Sequence, residues 1–449
     1  KRIGIGKMDF DVEDFDGGYT DEMGEYCKRD VEVTTKLYHY LKDRLKRQGF
    51  SDLSIQVEHE VAEITATQVR NGFKLDCALA AKWQAEMATR IAEITVELQE
   101  RFPPIVTIRV SDKTGKRLKD GVEEFNVGSR QQIAKRLGKL GVTWKKKTPT
   151  GKPVIDETTL ADVDIPEAKL CGEYLGLVKL KGMVDSWLKF VDKDTQRIHG
   201  YVNSCGAVTG RMTHNKPNLA QIPSLKIARQ CFTVEEGNVL VGCDASGLEL
   251  RCLAHYMGDQ DYTDQILHGD IHTYNQEAAG LPERNMAKTM IYGLIYGAGD
   301  AKLGQIVGGG SKEGKVIRET FLTKLPALRT LIERAKGIAE RTQRINGIDG
   351  RFIKVDEDYK VLNRLLQSCG AIVMKLAVRN CCNKLDELGV EYKLVAQVHD
   401  EVQIECHPRA AELVGSVARQ GIIDAGVELK MRCPMDAEYR IGSNWSETH

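Results

Sequence analysis

Two apolar, β-rich segments that lie far apart in the chain each lead into an aspartate. Residues 239–243, VLVGC, predict a buried strand that ends at Asp244. Residues 392–406, YKLVAQVHDEVQIEC, predict a strand–turn–strand hairpin with His399 and Asp400 in the turn. A carboxylate at the tip of a buried strand is costly unless a cation binds it. Two such strand ends suit a pair of hard divalent cations, which take carboxylate and phosphate oxygens and can serve phosphoryl transfer.

Both strand ends also have a structural alternative. Ser246 can cap a helix that follows Asp244, in which case the polar residues there only begin that helix. Asp is common in turns, so Asp400 alone is compatible with an ordinary hairpin. The functional interpretation is favoured because the turn lacks Gly and places Asp400 and Glu401 beside His399 between apolar strands.

A third segment, residues 281–300, predicts a helix with one unusual face. Pro282 suits a first helical turn, and Gly297 and Gly299 supply a C-terminal stop. Side chains four residues apart share a face of a helix. Here that face carries two cations followed by two aromatics: Arg284, Lys288, Tyr292 and Tyr296. Such a stripe can hold a triphosphate and stack a base, whereas the alternative is an amphipathic helix with solvated ends.

Composition excludes some classes of protein. A length of 449 residues suggests about three domain-sized units, and 42% hydrophobic with 29% charged residues suit a large core and a polar surface. No run approaches the roughly 20 apolar residues of a membrane span, which excludes a membrane protein. Basic and acidic residues, 64 of each, exclude a uniformly basic nucleic-acid coat. Twelve cysteines without a CxxC pair indicate a reduced, intracellular chain without structural zinc.

One segment departs from this charge balance. Residues 109–153 contain thirteen Lys and Arg against four Asp and Glu, including the run Lys145, Lys146 and Lys147. A solvated surface is one interpretation of the run. The other is contact with a polyphosphate backbone, where each cation releases counterions.

Taken in their order along the chain, the three segments resemble the polymerase motifs of family A DNA polymerases. The resemblance is strongest to the replicative enzymes of short-tailed (podovirus) phages. The matching residues are Asp244-x-Ser246-x2-Glu249-Leu250-Arg251, Arg284-x3-Lys288-x3-Tyr292-Gly293-x2-Tyr296-Gly297 and Val398-His399-Asp400-Glu401. Supporting stretches are Thr209-Gly210-Arg211, PNLAQIP at 217–223, GDIHT at 269–273 and LLQS at 365–368. The resemblance covers roughly residues 51–449, and the ordered set is specific although no single motif is.

The resemblance implies a catalytic site with two metal ions. Asp244 and Asp400 would hold two Mg²⁺ ions, for which Mn²⁺ can substitute, with help from the backbone carbonyl of Ala245. Lys288 would be catalytic with the two aspartates, because it is placed to protonate the leaving pyrophosphate.

The resemblance also implies how a nucleotide is held. Arg284 and Lys288 would neutralise the β and γ phosphates, assisted by His272. Glu249 would lie beneath the incoming sugar, hydrogen-bonded to Tyr296, and exclude a 2′-hydroxyl. Tyr292, at a position where family members have Tyr or Phe, implies weak discrimination against dideoxynucleotides.

For nucleic acid, the resemblance implies that Arg211, Gln367 and His399 contact the minor-groove side of a primer–template. Lys145, Lys146 and Lys147 would add contacts to the backbone of the duplex. The expected partners are therefore primer–template DNA and deoxynucleoside triphosphates, with no membrane.

The implied fold is an α+β right hand with an antiparallel palm sheet, helical fingers and a helical thumb. The expected division begins with residues 1–50 as the C-terminal remnant of a 3′–5′ exonuclease domain. The remaining segments are 51–80 leading into the palm, 81–190 as thumb, 191–258 as palm, 259–362 as fingers and 363–449 as palm.

Tyr26 and Asp30, in YCKRDVEVT, resemble the last motif of the family's exonuclease, where the Asp binds a metal and the Tyr positions water. Asp11 has the local look of the first motif, but it precedes Asp30 by only nineteen residues, which leaves no room for the intervening sheet and helices. The chain is therefore expected to start inside an exonuclease domain whose catalytic part is missing or lies on another chain. It is not expected to proofread alone.

Thioredoxin is not expected as a processivity factor, because residues 102–125 leave only a short basic connection where podovirus enzymes carry a long thumb insertion. The expected role is phage DNA replication in the cytoplasm of a bacterial host. One rival is a single-subunit RNA polymerase, which Glu249 argues against because its carboxylate would crowd a ribose 2′-hydroxyl. The other rival is a decayed DNA-binding clamp, which the intact carboxylates and cations argue against.

Overall fold

The computed structural model describes residues 4–8, 18–110, 113–144 and 146–449. Helices dominate these ranges, and several begin after a Thr, Ser or Asp whose side chain accepts a hydrogen bond from a first-turn N–H. In chain order the helices are α1 (Asp21–Arg47), α2 (Asp52–Asn71), α3 (Cys77–Arg101), α4 (Arg130–Lys139), α5 (Glu157–Ala161), α6 (Pro166–Phe190), α7 (Lys226–Gln230), α8 (Leu248–Met257), α9 (Gln260–His268), α10 (Ile271–Ala279), α11 (Arg284–Ile295), α12 (Asp300–Gln305), α13 (Ser311–Lys324), α14 (Pro326–Thr342), α15 (Val361–Glu387) and α16 (Ala411–Glu428).

The strands are short, apart from those of one central sheet. They are β1 (Phe73–Leu75), β2 (Ile105–Thr107), β3 (Gly121–Glu123), β4 (Arg197–Ile198), β5 (Tyr201–Asn203), β6 (Thr213–Asn215), β7 (Phe232–Thr233), β8 (Val239–Ala245), β9 (Arg344–Asn346), β10 (Phe352–Lys354), β11 (Tyr392–Val398), β12 (Glu401–Cys406) and β13 (Ala437–Gly442). A three-stranded sheet has the order β4-β1-β7, and β2-β3, β5-β6 and β9-β10 form two-stranded sheets.

The central sheet has the order β11-β12-β8-β13, and all its neighbouring strands are antiparallel. The predicted strand and hairpin are thus both present, as neighbours in one sheet. β8 is buried on both faces: Val241 and Cys243 belong to the main core with α15 and α16, whereas Leu240 belongs to a second core with Phe73 and Trp445. This burial explains why β8 is a continuous apolar run. The arrangement of helices around a small antiparallel sheet confirms the α+β prediction.

The start of α8 differs from the sequence expectation. Ser246 does not cap the helix, because the N-cap residue is Gly247, which has φ of 59° and makes no side-chain cap. Glycine adopts this left-handed conformation without the steric cost that other residues pay. The turn after β8 is therefore made by backbone geometry rather than by a side-chain cap.

Helix α15 runs through the main core. The range Asp358–Glu387 is long and apolar enough to cross a membrane by length and composition, but 83% of its most apolar window is buried inside the protein. That burial is typical of a core helix, so this finding is weak evidence for a membrane span.

A third core joins α3 and α6, which are 25 residues each, to the smaller elements between them. Its buried members include Leu98, Phe102, Phe125, Leu137 and Leu160. The hairpin β2–β3 lies between α3 and α4, and its aliphatic side chains at Val106 and Val122 are exposed.

Candidate active site at the end of the central sheet

The two predicted aspartates meet at one end of the central sheet. Asp244 lies near the end of β8, in register with Glu401 at the start of β12. The backbone N–H of Ala245 donates a hydrogen bond to the carbonyl oxygen of Asp400, at 2.9 Å. His399 takes the left-handed conformation, with φ of 58°, in the turn before Asp400. Residues distant in sequence are thus joined by the pairing of β8 with β12.

The carboxylates at this end of the sheet oppose each other's ionisation. Burial, followed by the charges of Asp400, Glu401 and Glu249, raises the pKa of Asp244 to about 7. Burial and the charge of Glu249 likewise raise the pKa of Asp400. The charge of Arg229 offsets only part of the effect on Asp244. Several carboxylate oxygens at one half-buried point form the donor set that a hard divalent metal prefers. The residues present therefore fit Mg²⁺.

Glu401 has a role that the sequence analysis missed. Its Oε1 accepts hydrogen bonds from Trp445 Nε1 and Gln403 Nε2, and its Oε2 lies 2.8 Å from His449 Nδ1. Ligand atoms of Asp244, Glu401 and His449 all lie within 4.8 Å of one another. Glu401 therefore ties the C-terminal residues to the sheet beside Asp244.

Glu249 lies between the central sheet and helix α11. It lies in the first turn of α8, and its Oε1 is 3.3 Å from Arg211 Nη2. The hydroxyl of Tyr296, which follows α11, donates to the same oxygen at 3.4 Å. Burial and the charge of Glu249 raise the pKa of Tyr292, which keeps that hydroxyl protonated.

Helix α11 is amphipathic, and its two predicted cations lie on the side away from the core. Ala287, Met290 and Ile291 are buried, whereas Arg284 and Lys288 are exposed on the other side. The helix ends before Gly297, which has φ of 76°. The cationic stripe is therefore solvent-facing and open to a ligand.

His272, at the start of α10, faces the same cations. Burial, followed by the charges of Arg284 and Lys288, lowers the pKa of His272. Its ring lies 6.3 Å from that of Tyr292, and its Nδ1 is buried with no hydrogen-bond partner among the described residues. A site with these groups suits a polyanion.

Arg284 also makes a contact that the sequence analysis did not anticipate. Its Nε lies 2.6 Å from Asp270 Oδ2, and its Nη2 lies 3.0 Å from Asp270 Oδ1. In the sequence analysis Asp270 stands only within the supporting stretch GDIHT, and in the structure its side chain caps α10. The spacing of fourteen residues between the partners gives no local signal for this pair.

The residues predicted to touch nucleic acid are only partly gathered. Arg211 and His399 line one cavity together with His214 and Lys375. Gln367 lies on α15, half-buried, and does not line that cavity.

The predicted basic run and exonuclease remnant lie away from the sheet. Lys146 and Lys147 are exposed between α4 and α5, and Lys145 lies outside the described residues. Tyr26 and Asp30 lie on α1, where Asp30 pairs with Lys7 at 3.0 Å. Asp11 lies outside the described residues.

The antiparallel sheet with carboxylates at one end, facing a helix of cations and tyrosines, defines a polymerase. Its fold matches a solved structure, the POL domain of Pol1 from M. smegmatis in complex with DNA primer-template and dNTP. The TM-score is 0.77 at 23% identity, covering 87% of this chain and 70% of that chain.

The chain belongs to DNA polymerase family A, whose family model matches residues 108–447. It is 35% identical to the DNA-directed DNA polymerase of Enterobacteria phage T3 and 34% identical to that of Escherichia phage T7, over 96% of this chain and 77% of each relative. It is also 27% identical to DNA polymerase I of Pseudomonas aeruginosa, over 97% of this chain and 49% of that relative. The chain is accordingly a DNA-directed DNA polymerase that carries out template-directed DNA synthesis.

Proposed function

We propose that this polymerase extends a primer 3′ end with deoxynucleotides by two-metal phosphoryl transfer, and that it replicates phage DNA in the cytoplasm of a bacterial host. The observation that supports this most is the meeting of two half-buried aspartates at the end of the sheet, where burial and neighbouring carboxylates raise the pKa of both. The phage setting is supported by the similarity to the phage T3 and T7 enzymes.

Asp244, Asp400 and the backbone carbonyl of Ala245 would hold the metal ions. Mg²⁺, or Mn²⁺ in its place, supplies charge that favours the attacking 3′-hydroxyl in its ionised form and offsets the charge of the triphosphate. Asp244 and Asp400 are suited to this because their backbones are fixed by sheet pairing, so little reorganisation accompanies binding.

The phosphates of the incoming nucleotide would bind the exposed cationic face of α11. Arg284 and Lys288 would each donate N–H groups to the β and γ phosphates, and His272 would assist from α10. The Nζ of Lys288 is the proposed proton donor to the pyrophosphate as it leaves. The support for these roles is that Arg284 and Lys288 lie close enough to His272 for their charges to lower the pKa of its imidazole.

The sugar would lie over Glu249. Arg211 and Tyr296 both bind the same carboxylate oxygen, which fixes the side chain where a 2′-hydroxyl would collide with it. Tyr292, with its hydroxyl protonated, would accept dideoxynucleotides readily, because that hydroxyl can take the place of the missing 3′-hydroxyl as a hydrogen-bond donor.

The primer–template would lie along Arg211, Gln367 and His399 on its minor-groove side, where base-pair geometry can be sensed without reading sequence. The run of Lys145, Lys146 and Lys147 would bind the backbone of the duplex. Within this proposal residues 191–258 and 363–449 are the palm, 259–362 the fingers, 81–190 the thumb and 51–80 the segment leading into the palm.

We also propose that thioredoxin is not a processivity factor here. The alignments with both phage enzymes extend over 546 positions, more than the 449 residues of this chain, so both relatives carry further residues within the aligned region. Among the described residues between α3 and α4, the regular elements are the strands β2 and β3 of one hairpin. Residues 1–50, with Tyr26 and Asp30 on α1, are proposed to be the end of an exonuclease domain.

The test is extension of a labelled primer on a DNA template, with deoxynucleotides and ribonucleotides in parallel reactions. Extension with deoxynucleotides alone, lost with EDTA and restored by Mg²⁺ or Mn²⁺, is the expected result. Extension with ribonucleotides alone would transfer the chain to the RNA polymerase class. No extension by a chain that still binds primer–template would favour a decayed clamp, and product lengths that increase with reduced thioredoxin would contradict its proposed irrelevance.

A further inference from the structure

The carboxylate of Asp270 is held by the backbone and side chain of the helix that it starts. Oδ1 accepts from the N–H of His272 at 3.0 Å and of Thr273 at 3.4 Å. Oδ2 accepts from the hydroxyl of Thr273 at 3.0 Å. These three hydrogen bonds fix the orientation of the carboxylate relative to α10 before any other residue binds it.

The same carboxylate binds Arg284, the first residue of α11. The two hydrogen bonds, 2.6 Å from Nε to Oδ2 and 3.0 Å from Nη2 to Oδ1, form a bidentate pair. A bidentate pair fixes the plane of a guanidinium as well as its position. It also leaves the third nitrogen, Nη1, outside the pair and able to donate elsewhere.

Asp270 thereby connects two of the groups proposed to bind phosphate. Arg284 is its direct partner, and His272 is held two residues along the chain through its backbone N–H. Their helices, α10 and α11, are separate elements joined by residues 280–283. One side chain thus sets where a cation of α11 stands relative to the imidazole of α10.

Stability alone does not account for this pair. Its side chains are 48% and 45% exposed, and exposed ion pairs contribute roughly 0–1 kcal/mol to stability. The hydrogen bond from Arg284 is the largest of the influences that keep the pKa of Asp270 well below its usual range, so the carboxylate is ionised at neutral pH. A negative charge beside a site for a polyanion weakens binding of the polyanion by repulsion. Its presence is explained if Asp270 improves the geometry of the contacts that Arg284 makes.

We propose that Asp270 is a positioning residue that orients the Arg284 guanidinium, through Nε and Nη2, so that Nη1 faces the triphosphate of the incoming nucleotide. This inference rests on the proposed function of Arg284. Asp270 itself touches no substrate; it acts through Arg284 and through the start of α10.

The test compares Asp270→Asn and Asp270→Ser with the parent enzyme in single-nucleotide addition to a primer. Both substitutions retain an N-cap acceptor for α10. Asn removes the negative charge, and Ser is too short to reach Arg284. We expect the KM for the deoxynucleotide to rise about tenfold in each, as for other residues that orient a ligand-binding group, with kcat changing less. Inhibition by pyrophosphate should weaken in parallel, because it shares the phosphate contacts.

A double-mutant cycle with Arg284→Gln separates positioning from a general structural effect. If Asp270 acts through Arg284, then Asp270→Asn has little further effect on KM once Arg284 is Gln. Glu319→Gln is the matched control. Glu319 lies on α13, and its carboxylate forms another exposed ion pair, with Arg329 at 3.0 Å, which this substitution removes. That control should leave KM unchanged, and thermal unfolding should show all the variants folded.

Three results would overturn the inference. The first is a KM for the deoxynucleotide that is unchanged in both Asp270 variants but raised in Arg284→Gln. That result would leave the proposed function of Arg284 intact. The second is a lower KM, which would make Asp270 a competitor of the triphosphate for Arg284. The third is an equal rise in KM with and without Arg284. An unchanged KM in Arg284→Gln itself would instead refute the proposed function of that arginine.

Discussion

Ionisation of Asp244 is unfavourable in the folded protein when no metal is bound. Burial and the neighbouring carboxylates raise its pKa from 3.8 to about 7. Between these values the folded chain binds more protons than the unfolded chain, so the free energy of unfolding falls as the pH rises through this window. The shift corresponds to about 4 kcal/mol by linkage, and solvent screening of this half-buried carboxylate reduces that figure to about half. We therefore expect Asp244→Asn to stabilise the metal-free protein by about 2 kcal/mol near pH 8, and to have little effect near pH 4.

Urea unfolding in EDTA, measured across this pH range, checks this prediction. The exposed Asp424 on α16 provides the control, because Asp424→Asn keeps its hydrogen-bond acceptor for Gln420 and should show no such pH dependence. Added Mg²⁺ should reduce the advantage of Asp244→Asn, since only the parent binds the ion well. An Asn variant that is less stable than the parent near pH 8 without metal would show that the carboxylates are not in conflict.

Glu249 should decide between sugars. Removing its side chain in Glu249→Ala opens the space beneath the sugar, so ribonucleotide incorporation relative to deoxynucleotide incorporation should rise by at least about tenfold. Tyr296→Phe, which removes only the hydroxyl that binds Glu249 at 3.4 Å, should give a smaller rise. Competition between the two nucleotides in primer extension measures the ratio. Unchanged discrimination in Glu249→Ala would remove this residue from sugar selection.

At the residue scale, the sequence predicts functional side chains that lie at the ends of recognisable strands. It misses side chains whose role depends on contacts with residues distant in the chain. Asp244 was found because an apolar run precedes it. The role of Glu401 depends on Trp445 and His449, which reach it only because the C-terminal segment returns to the sheet. The cap expected at Ser246 is wrong because Gly247 makes the turn in the left-handed conformation.

Among the elements, β8 should tolerate substitution least where the chain's end crosses it. A Cβ at Gly242 would collide with the carbonyl oxygen of Thr448 and lie 2.5 Å from Gln403 Nε2. We expect Gly242→Ala to destabilise the protein by about 2 kcal/mol through this overpacking. Gly182, on α6, has nothing within 4 Å of an added Cβ, so Gly182→Ala should stabilise by up to about 1 kcal/mol.

Chemical unfolding of the two glycine variants under the same conditions measures both effects. Equal stability in the two would mean that the C-terminal segment moves away from β8 at little cost. A destabilised Gly242→Ala with full activity would show that the position of this segment does not matter for catalysis.

The basic segment between α4 and α5 should act on DNA affinity through its charge. Lys146 and Lys147 are exposed, so each can approach a phosphate. Changing both to Ala should lower primer–template affinity and reduce the slope of log affinity against log salt by about 2, because about 0.9 counterions are released per phosphate contact. Binding titrations at several salt concentrations test this, with Lys28→Ala on α1 as an exposed control. An unchanged slope would assign the segment to the solvated surface.

At the element scale, the periodic patterns were informative and the weak ones were not. The two β-rich halves of 392–406 and the four-residue repeat in 281–300 correspond to β11–β12 and α11 in the structure. β13 was not identified, because its six residues, AEYRIG, contain no apolar run and only the first of them is buried. It is a strand because β8 offers it an antiparallel partner, which is a tertiary effect.

Across the whole molecule, the main core and the active site are built from the same elements. The sheet that holds Asp244 packs on α15 and α16, and α11 contributes both to that core and to the cationic face. The order β11-β12-β8-β13 could not be derived from local patterns, since it joins strands from distant parts of the chain. Resemblance to a family supplied only the right-hand fold with an antiparallel palm sheet, and the match over residues 108–447 and the TM-score of 0.77 confirm that fold.

The central claim is that Asp244 and Asp400 together hold the metal ions for nucleotidyl transfer. The most direct measurement is single-turnover primer extension by Asp244→Asn and Asp400→Asn, with primer–template binding measured on the same samples and Asp424→Asn as the control. We predict that each active-site variant loses at least about 1,000-fold in rate, whereas its affinity for DNA changes by less than about threefold. Extension by either variant within about tenfold of the parent rate would contradict the claim.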